Sequence, residues 1–254
     1  MKTRILAFFV PVLFALASCT TLMNLMPEVP QHKRQVIYDM VDAMAFPEAR
    51  KLGRSKERRM GLKKGQWITV LQEALDGDKN VALTTTKVIS VDGNTVTLET
   101  ESLSASNDAR PLHSQVTFEN YPVWGSLSYT RDEYDRIAGQ LRIIRVRTRE
   151  GDGPVNDMPP ELLAMARGLT DNALAGSTVR VGEAERQAYD GTYIKARSCF
   201  SHSYSVTISG ITSSGRSLSH SSVPVSGAIL IEDEHTRATT IAYGYKGATS
   251  VFPP

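Results

Sequence analysis

The apolar positions of this chain follow three patterns, each with its own period. Ile5 through Leu16 is an unbroken apolar run of twelve residues, Pro11 included. Val36, Ile37, Met40, Val41 and Met44 then fall at i, i+1, i+4, i+5 and i+8, one stripe of an α-helix, and Pro47 either ends it or starts a new turn. That stripe faces either the main domain or a membrane surface. From Gly65 the period shortens toward two. Gln66–Glu73 is rich in β-formers, and Val81–Val91 and Thr95–Thr100 flank Asp92-Gly93-Asn94 as a hairpin. Val96 and Leu98 alternate with Thr95, Thr97 and Glu99, which predicts one buried and one wetted face. Ser114–Glu119 is another strand, and so is Leu141–Thr148, whose polar positions are crowded by Arg142, Arg145, Arg147 and Arg149.

Two short helices interrupt the strands. Thr130 with Glu133 resembles a capping box opening a helix that ends near Gly139. Asp157, Pro159, Pro160 and Glu161 cap a second over Leu162–Leu169. The last third returns to strands at Val179–Gly182, Thr192–Phe200, Tyr204–Ser209, Arg216–Ser222, Ala228–Glu232 and Thr239–Tyr243. The serines of residues 198–222 read as the wet face of these strands. Close spacing with tight turns predicts an antiparallel sheet rather than βαβ units. The expected fold is α+β and β-dominated: a curved, half-barrel-like antiparallel sheet with short helices on its concave face.

The first apolar run changes what the rest must do. Twelve helical residues rise only about 18 Å, well short of a hydrocarbon core of about 30 Å. Behind Lys2 and Arg4 the run is therefore a signal h-region rather than a membrane span. Leu16-Ala17-Ser18-Cys19 closes it, and this quartet resembles the lipobox of bacterial lipoproteins. The resemblance implies cleavage after Ser18, acylation of Cys19, and a membrane partner reached through that lipid. Thr20, which is not Asp, implies the periplasmic face of the outer membrane rather than the inner membrane. A single acyl chain binds a membrane only marginally, and the diacylglycerol and N-acyl chain of this class meet that requirement. The expected division is a signal peptide over 1–18, then anchor, tether, amphipathic helix and basic segment over 19–64, then a β-rich domain over 65–254.

Processing also alters the charge. The full chain carries 29 basic and 27 acidic side chains. Loss of residues 1–18 removes Lys2 and Arg4 and no acid, so 29 − 2 leaves 27 against 27. A neutral mature chain gives no reason to expect nucleic acid as a partner. The charge is unevenly placed, however. Arg50, Lys51, Arg54, Lys56, Arg58, Arg59, Lys63 and Lys64 are offset only by Glu57, a net +7 over residues 50–64. This is either a solvated face or a contact for lipid headgroups, where each basic residue contributes about 1 kcal/mol.

Candidate chemistry is sparse. Asp76-Gly77-Asp78-Lys79-Asn80 opens like a calcium loop, but Val81 and Lys87 stand where glycine and glutamate are needed. No G-x-S-x-G elbow occurs. Cys199, His202, His220 and His235 are the possible metal ligands, yet Cys199 and His202 would point to opposite faces of one strand. No metal and no cofactor is expected. With Cys19 acylated, Cys199 lacks an intrachain partner and reads as a small buried hydrophobe or a reactive thiol.

One further resemblance lies in the last third. Gly191-Thr192-Tyr193, His220, Val223-Pro224-Val225-Ser226-Gly227 and Ile241-Ala242-Tyr243-Gly244 follow one another, with Met158-Pro159-Pro160-Glu161 upstream. This pattern looks like that of a group of uncharacterised bacterial envelope lipoproteins, and implies the style of the lipoprotein-carrier folds. It supplies no catalytic residues. Pro224 and Gly227 set a turn between strands, with His220 beside it as a hydrogen-bonding lock or a ligand. The expected function is a non-enzymatic, lipid-anchored envelope protein that binds a lipid, an acyl chain or an envelope protein, or acts as a scaffold. The alternative is an envelope-maintenance enzyme using His202 or His220 with a carboxylate.

Overall fold

The computed structural model describes residues 4–5, 28–44, 48–57, 60–76, 79–121, 129–130, 140–164, 178–208 and 211–253. Ser18, Cys19, Arg58 and Arg59 lie outside these residues, as do the helix expected to end near Gly139 and residues 165–169 of the one expected over Leu162–Leu169. One helix, α1 (Gln31–Ala43), precedes thirteen strands of a single sheet. They are β1 (Arg50–Arg54), β2 (Trp67–Ala74), β3 (Val81–Asp92), β4 (Thr95–Ser104), β5 (Leu112–Glu119), β6 (Arg142–Glu150) and β7 (Asn156–Asp157). Then come β8 (Thr178–Val181), β9 (Glu185–Asp190), β10 (Ile194–Ile208), β11 (Ile211–Ser219), β12 (Ala228–Asp233) and β13 (Thr236–Gly244). Separately, Arg4–Ile5 pairs with Tyr129–Thr130.

The sheet is large, open and β-dominated, in the order β8-β10-β11-β12-β13-β2-β3-β4-β5-β6-β7, with β9 and β1 also paired to β10. The hairpin predicted around Gly93 is present. Asp92 pairs with Thr95 across a two-residue turn, and Gly93 takes φ +54°, a region that glycine enters without a Cβ penalty.

Three expectations change. First, the sheet is not wholly antiparallel: β1 runs parallel to β10, from Ile194 opposite Arg50 to Ser198 opposite Arg54. Leu52 is the one buried position of β1 and joins a core of Ile68, Val88, Ile194, Ala196, Leu218 and Tyr243. Second, Thr192–Phe200 and Tyr204–Ser209 are one strand, because β10 is paired with β11 without a break from Phe200 to Ile208. Third, the β9 strand, charged and largely exposed, was not visible as a period-two pattern.

The middle of the α1 stripe, Ile37, Met40 and Val41, packs on the sheet, while Val36 and Met44 at its ends stay exposed. Ile37 and Val41 are buried against Leu71, Val81, Leu83, Ala105 and Ile241. Tyr38 donates to the Glu73 carboxylate at 3.1 Å, and burial beside that carboxylate raises the phenol to about 12. Lys33 pairs with Asp108 at 2.6 Å. A thirteen-residue helix is marginal by itself, and each buried aliphatic side chain contributes about 1.5–3 kcal/mol. α1 and β1 both pack with strands that follow Gly65. Residues 160–164 are helical, and Leu162 remains exposed.

Ile37→Ala should destabilise the fold by about 2–4 kcal/mol, and Val36→Ala, at an exposed position of the same helix, by less than about 0.5 kcal/mol. Urea unfolding of both variants checks this. Equal effects would remove α1 from the core.

Candidate functional site

The predicted turn and the basic segment meet at one corner. β11 ends at Ser219 and β12 begins at Ala228. Between them the His220 amide donates to the Gly227 carbonyl at 2.8 Å, and the Val223 amide donates back to the His220 carbonyl at 3.1 Å. The Ser222 amide donates to His220 Nδ1 at 3.1 Å. The ring proton therefore belongs on Nε2, which faces the Gly53 carbonyl at 3.3 Å. Burial pushes the imidazole below its ordinary range, with the Gly53 contact opposing. Two serines complete the joint: the Ser221 amide donates to Ser55 Oγ at 3.0 Å, and the Lys56 amide to Ser221 Oγ at 2.9 Å. The corner thus holds the exit of β1 against the β11–β12 turn.

The basic residues divide by role. Arg50 donates to the Tyr243 carbonyl at 2.8 Å, with its guanidinium 4.1 Å from the centre of the Tyr243 ring. Lys51, whose side chain is 78% exposed, pairs with Glu48. Arg54, Lys56, Lys63 and Lys64 are exposed. Near them, Arg186 donates to the Ser55 carbonyl at 3.0 Å and covers the Phe200 ring at 4.3 Å.

Neither candidate histidine meets a carboxylate among the described residues. His202 is buried, and neither of its ring nitrogens has a hydrogen-bond partner. Burial lowers its basicity; the Gly182 backbone nearby counters this in part without completing a hydrogen bond. His235 sits on the surface turn after β12, paired through Nδ1 with Asp76 and 3.2 Å from Glu234. No group of three or more metal-ligating side chains occurs among the described residues. Cys199 is buried, donates to the Gln187 carbonyl at 3.3 Å, and has its thiol pushed up by burial. This is the setting of a small hydrophobe rather than a reactive thiol.

The sequence reading missed a buried polar row. Lys87, Glu99, Gln115 and Arg147 stand directly opposite one another across β3, β4, β5 and β6, and so share a face. Glu99 was expected on a wetted face, yet it is 0% exposed. Residues 248–253 cover it. Ser250 Oγ donates to Glu99 at 2.5 Å and the Val251 amide at 3.2 Å. Gln115 donates to Glu99 at 3.2 Å, and Lys87 lies 3.5 Å away. Arg147 donates to the Pro253 carbonyl at 2.7 Å and Arg149 to the Val251 carbonyl at 3.1 Å. Alternation along β4 could not reveal this, because the covering segment lies some 150 residues away. The serines expected to be wet differ in the same way: Ser217, Ser219 and Ser221 are buried.

Glu99→Ala should cost about 3 kcal/mol, the order expected when one partner of a buried charged network is removed. Amide exchange at Val251 and Phe252 should quicken with it; unchanged exchange there would show that Glu99 does not hold the segment. The histidines give a pH dependence. His202 and His220 have folded values below the unfolded one, so the unfolded chain binds more protons in acid. Their stabilising effect is full above about pH 6.5 and is lost as pH falls below it. Urea midpoints should drop between neutral and mildly acid pH, less steeply in His220→Gln.

No protein-family model and no curated protein matches the chain. A solved structure from Bacteroides fragilis, of a protein inferred to be exported and described as having a YmcC-like fold, is 9% identical, with a TM-score of 0.34. The match covers 74% of this chain and 100% of that one. A likeness at that level establishes neither family nor activity.

Proposed function

We propose that this chain is a lipid-anchored bacterial envelope protein, cleaved after Ser18 and acylated on Cys19, that acts by binding rather than by catalysis. The observation that carries the reading is the signal segment ending in Leu16-Ala17-Ser18-Cys19, supported by the exposed cations close behind it. Helix α1 starts at Gln31, and Lys51, Arg54, Lys56, Lys63 and Lys64 face solvent from the next elements along the chain. An acylated Cys19 would bring these cations near anionic headgroups, each adding about 1 kcal/mol within a Debye length of the surface. The periplasmic face of the outer membrane is the proposed location. The sheet, curving with short helices on its concave face, would offer an apolar ligand or an envelope protein a place to bind; the docking of α1 on β2 and β3 favours that arrangement.

Wild-type chain expressed in a bacterial host should fractionate with membranes and incorporate labelled palmitate, and Cys19→Ser should do neither. Wild type without label would sink the anchor. With the Cys19→Ser chain, binding to vesicles containing anionic lipid should fall between low salt and about 0.15 M salt. Lys51→Glu with Lys56→Glu and Lys63→Glu should abolish it, and salt-insensitive binding would remove the electrostatic contact.

A further inference from the structure

Two turns far apart in sequence are packed backbone to backbone at one end of the sheet. β2 and β13 pair antiparallel from Thr236 opposite Ala74 to Gly244 opposite Trp67. Lys63 and Lys64, just ahead of β2, therefore meet Tyr245 and Lys246, just after β13. The Ala248 amide donates to the Gly65 carbonyl at 3.0 Å. Gly65 takes φ +89°, and a Cβ there would lie 3.3 Å from both the Gly247 nitrogen and Lys246 Cα, so glycine is what lets the turns come this close. Buried Gln66 fixes the first turn, accepting from the Lys63 amide at 3.0 Å and donating to the Gly61 carbonyl at 3.2 Å. On the other side Tyr245 donates to the Ser222 carbonyl at 2.9 Å. That is one residue from the Ser221 hydroxyl, which accepts from the Lys56 amide at 2.9 Å.

Lys56, Lys63, Lys64 and Lys246 are exposed here, around a Tyr245 ring that is 44% exposed. Tyr245 and Lys246 come from the opposite end of the chain to the basic segment, and it is the fold that adds them to it. The far end of the same two strands has the opposite character. The Leu75 amide donates to the His235 carbonyl at 2.7 Å, and Asp76, Asp233 and Glu234 gather around His235. The eight residues of β2 separate the two ends, a length of about 26 Å. A surface polarised in this way turns its cationic end toward an anionic partner. Two acids lie on turns beside the cationic end: Glu57, 4.0 Å from Arg186, and Asp92 at the Gly93 hairpin. A tyrosine ring with one wet edge and one apolar face settles at the headgroup level of a bilayer.

We propose that the joined turns at 63–65 and 245–247, together with Lys56, form the face that docks on an anionic lipid surface. The four lysines lie at the headgroup phosphates, the Tyr245 ring enters among the headgroups, and the His235 turn is directed away. Charge and an exposed aromatic ring together are what an interfacial contact needs, and neither requires a cavity. The inference rests on the anchored reading above for bringing the chain to the bilayer. It goes beyond that reading in adding Tyr245 and Lys246 and in fixing which end of the sheet meets the lipid.

An environment-sensitive fluorophore attached at Tyr245→Cys, and separately at Leu75→Cys, in the Cys19→Ser chain tests this; Cys199 is buried and escapes labelling. Phosphatidylglycerol vesicles at low salt should shift the emission at position 245 to the blue and leave position 75 unchanged, and phosphatidylcholine vesicles should shift neither. Lys246→Gln, without label, should weaken binding to phosphatidylglycerol about fivefold. Lys246 is exposed, so this variant should unfold in urea at the unchanged midpoint, which frees the test from any effect of the label. Binding with no shift at position 245, or with equal shifts at both positions, would overturn the docking face and leave the anchor standing. An unchanged affinity in Lys246→Gln, or equal binding to phosphatidylcholine, would overturn it too. No binding to either vesicle would overturn the face, while palmitate labelling of the wild type decides the anchor separately.

Discussion

The pairing of β10 is the constraint on which the rest of the sheet depends. Its fifteen residues serve four partners: β11 along one edge, β8 and β9 along the other, and β1 beside its first half. An unpaired buried backbone group costs as much as a lost hydrogen bond, so the ends of these partners must fit against one another. The His220 corner is where two of them meet. There the Gly53 carbonyl, the serines at 55 and 221, and the imidazole satisfy the groups left over as β1 ends and β11 turns. A strand of mostly charged residues is thereby held in the sheet through one apolar side chain, Leu52.

Polar burial is this fold's second theme, and it takes two forms. In the row from Lys87 to Arg147 the charged groups face partners, although Arg147 Nε makes no hydrogen bond, and residues 248–253 join the network. Such a network orders the covering segment without adding much net stability, because desolvation offsets much of the Coulombic gain. Among the described residues, the ring nitrogens of His202 and the hydroxyls of Ser217 and Ser219 are buried without a hydrogen bond.

A membrane-anchored reading is compatible with both. Among the described residues, Lys51, Arg54, Lys56, Lys63 and Lys64 remain on the surface, while Arg50 turns inward to Tyr243. The anchor would fix the orientation of the domain, which α1 joins by packing Ile37 and Val41 on the sheet.

Local signals carried much of the fold. The β-dominated class, the Gly93 hairpin, α1 and the turn from His220 to Gly227 are each set by residues near in sequence, so period and turn chemistry reveal them. The Leu16-Ala17-Ser18-Cys19 pattern, on which the proposed signal rests, is likewise local. What the sequence could not disclose is which faces are covered and by what. Glu99 and Ser217 sit at polar positions of alternating strands and look wetted; both are fully buried, Glu99 because a segment distant in sequence folds across it. The parallel β1 and the fused β10 follow from where Leu52 finds a core and where β11 finds a partner. Period-two patterning states that a strand has two faces, and only the tertiary structure decides how many of them meet water, because burial is a property of the neighbours that arrive and not of the strand that receives them.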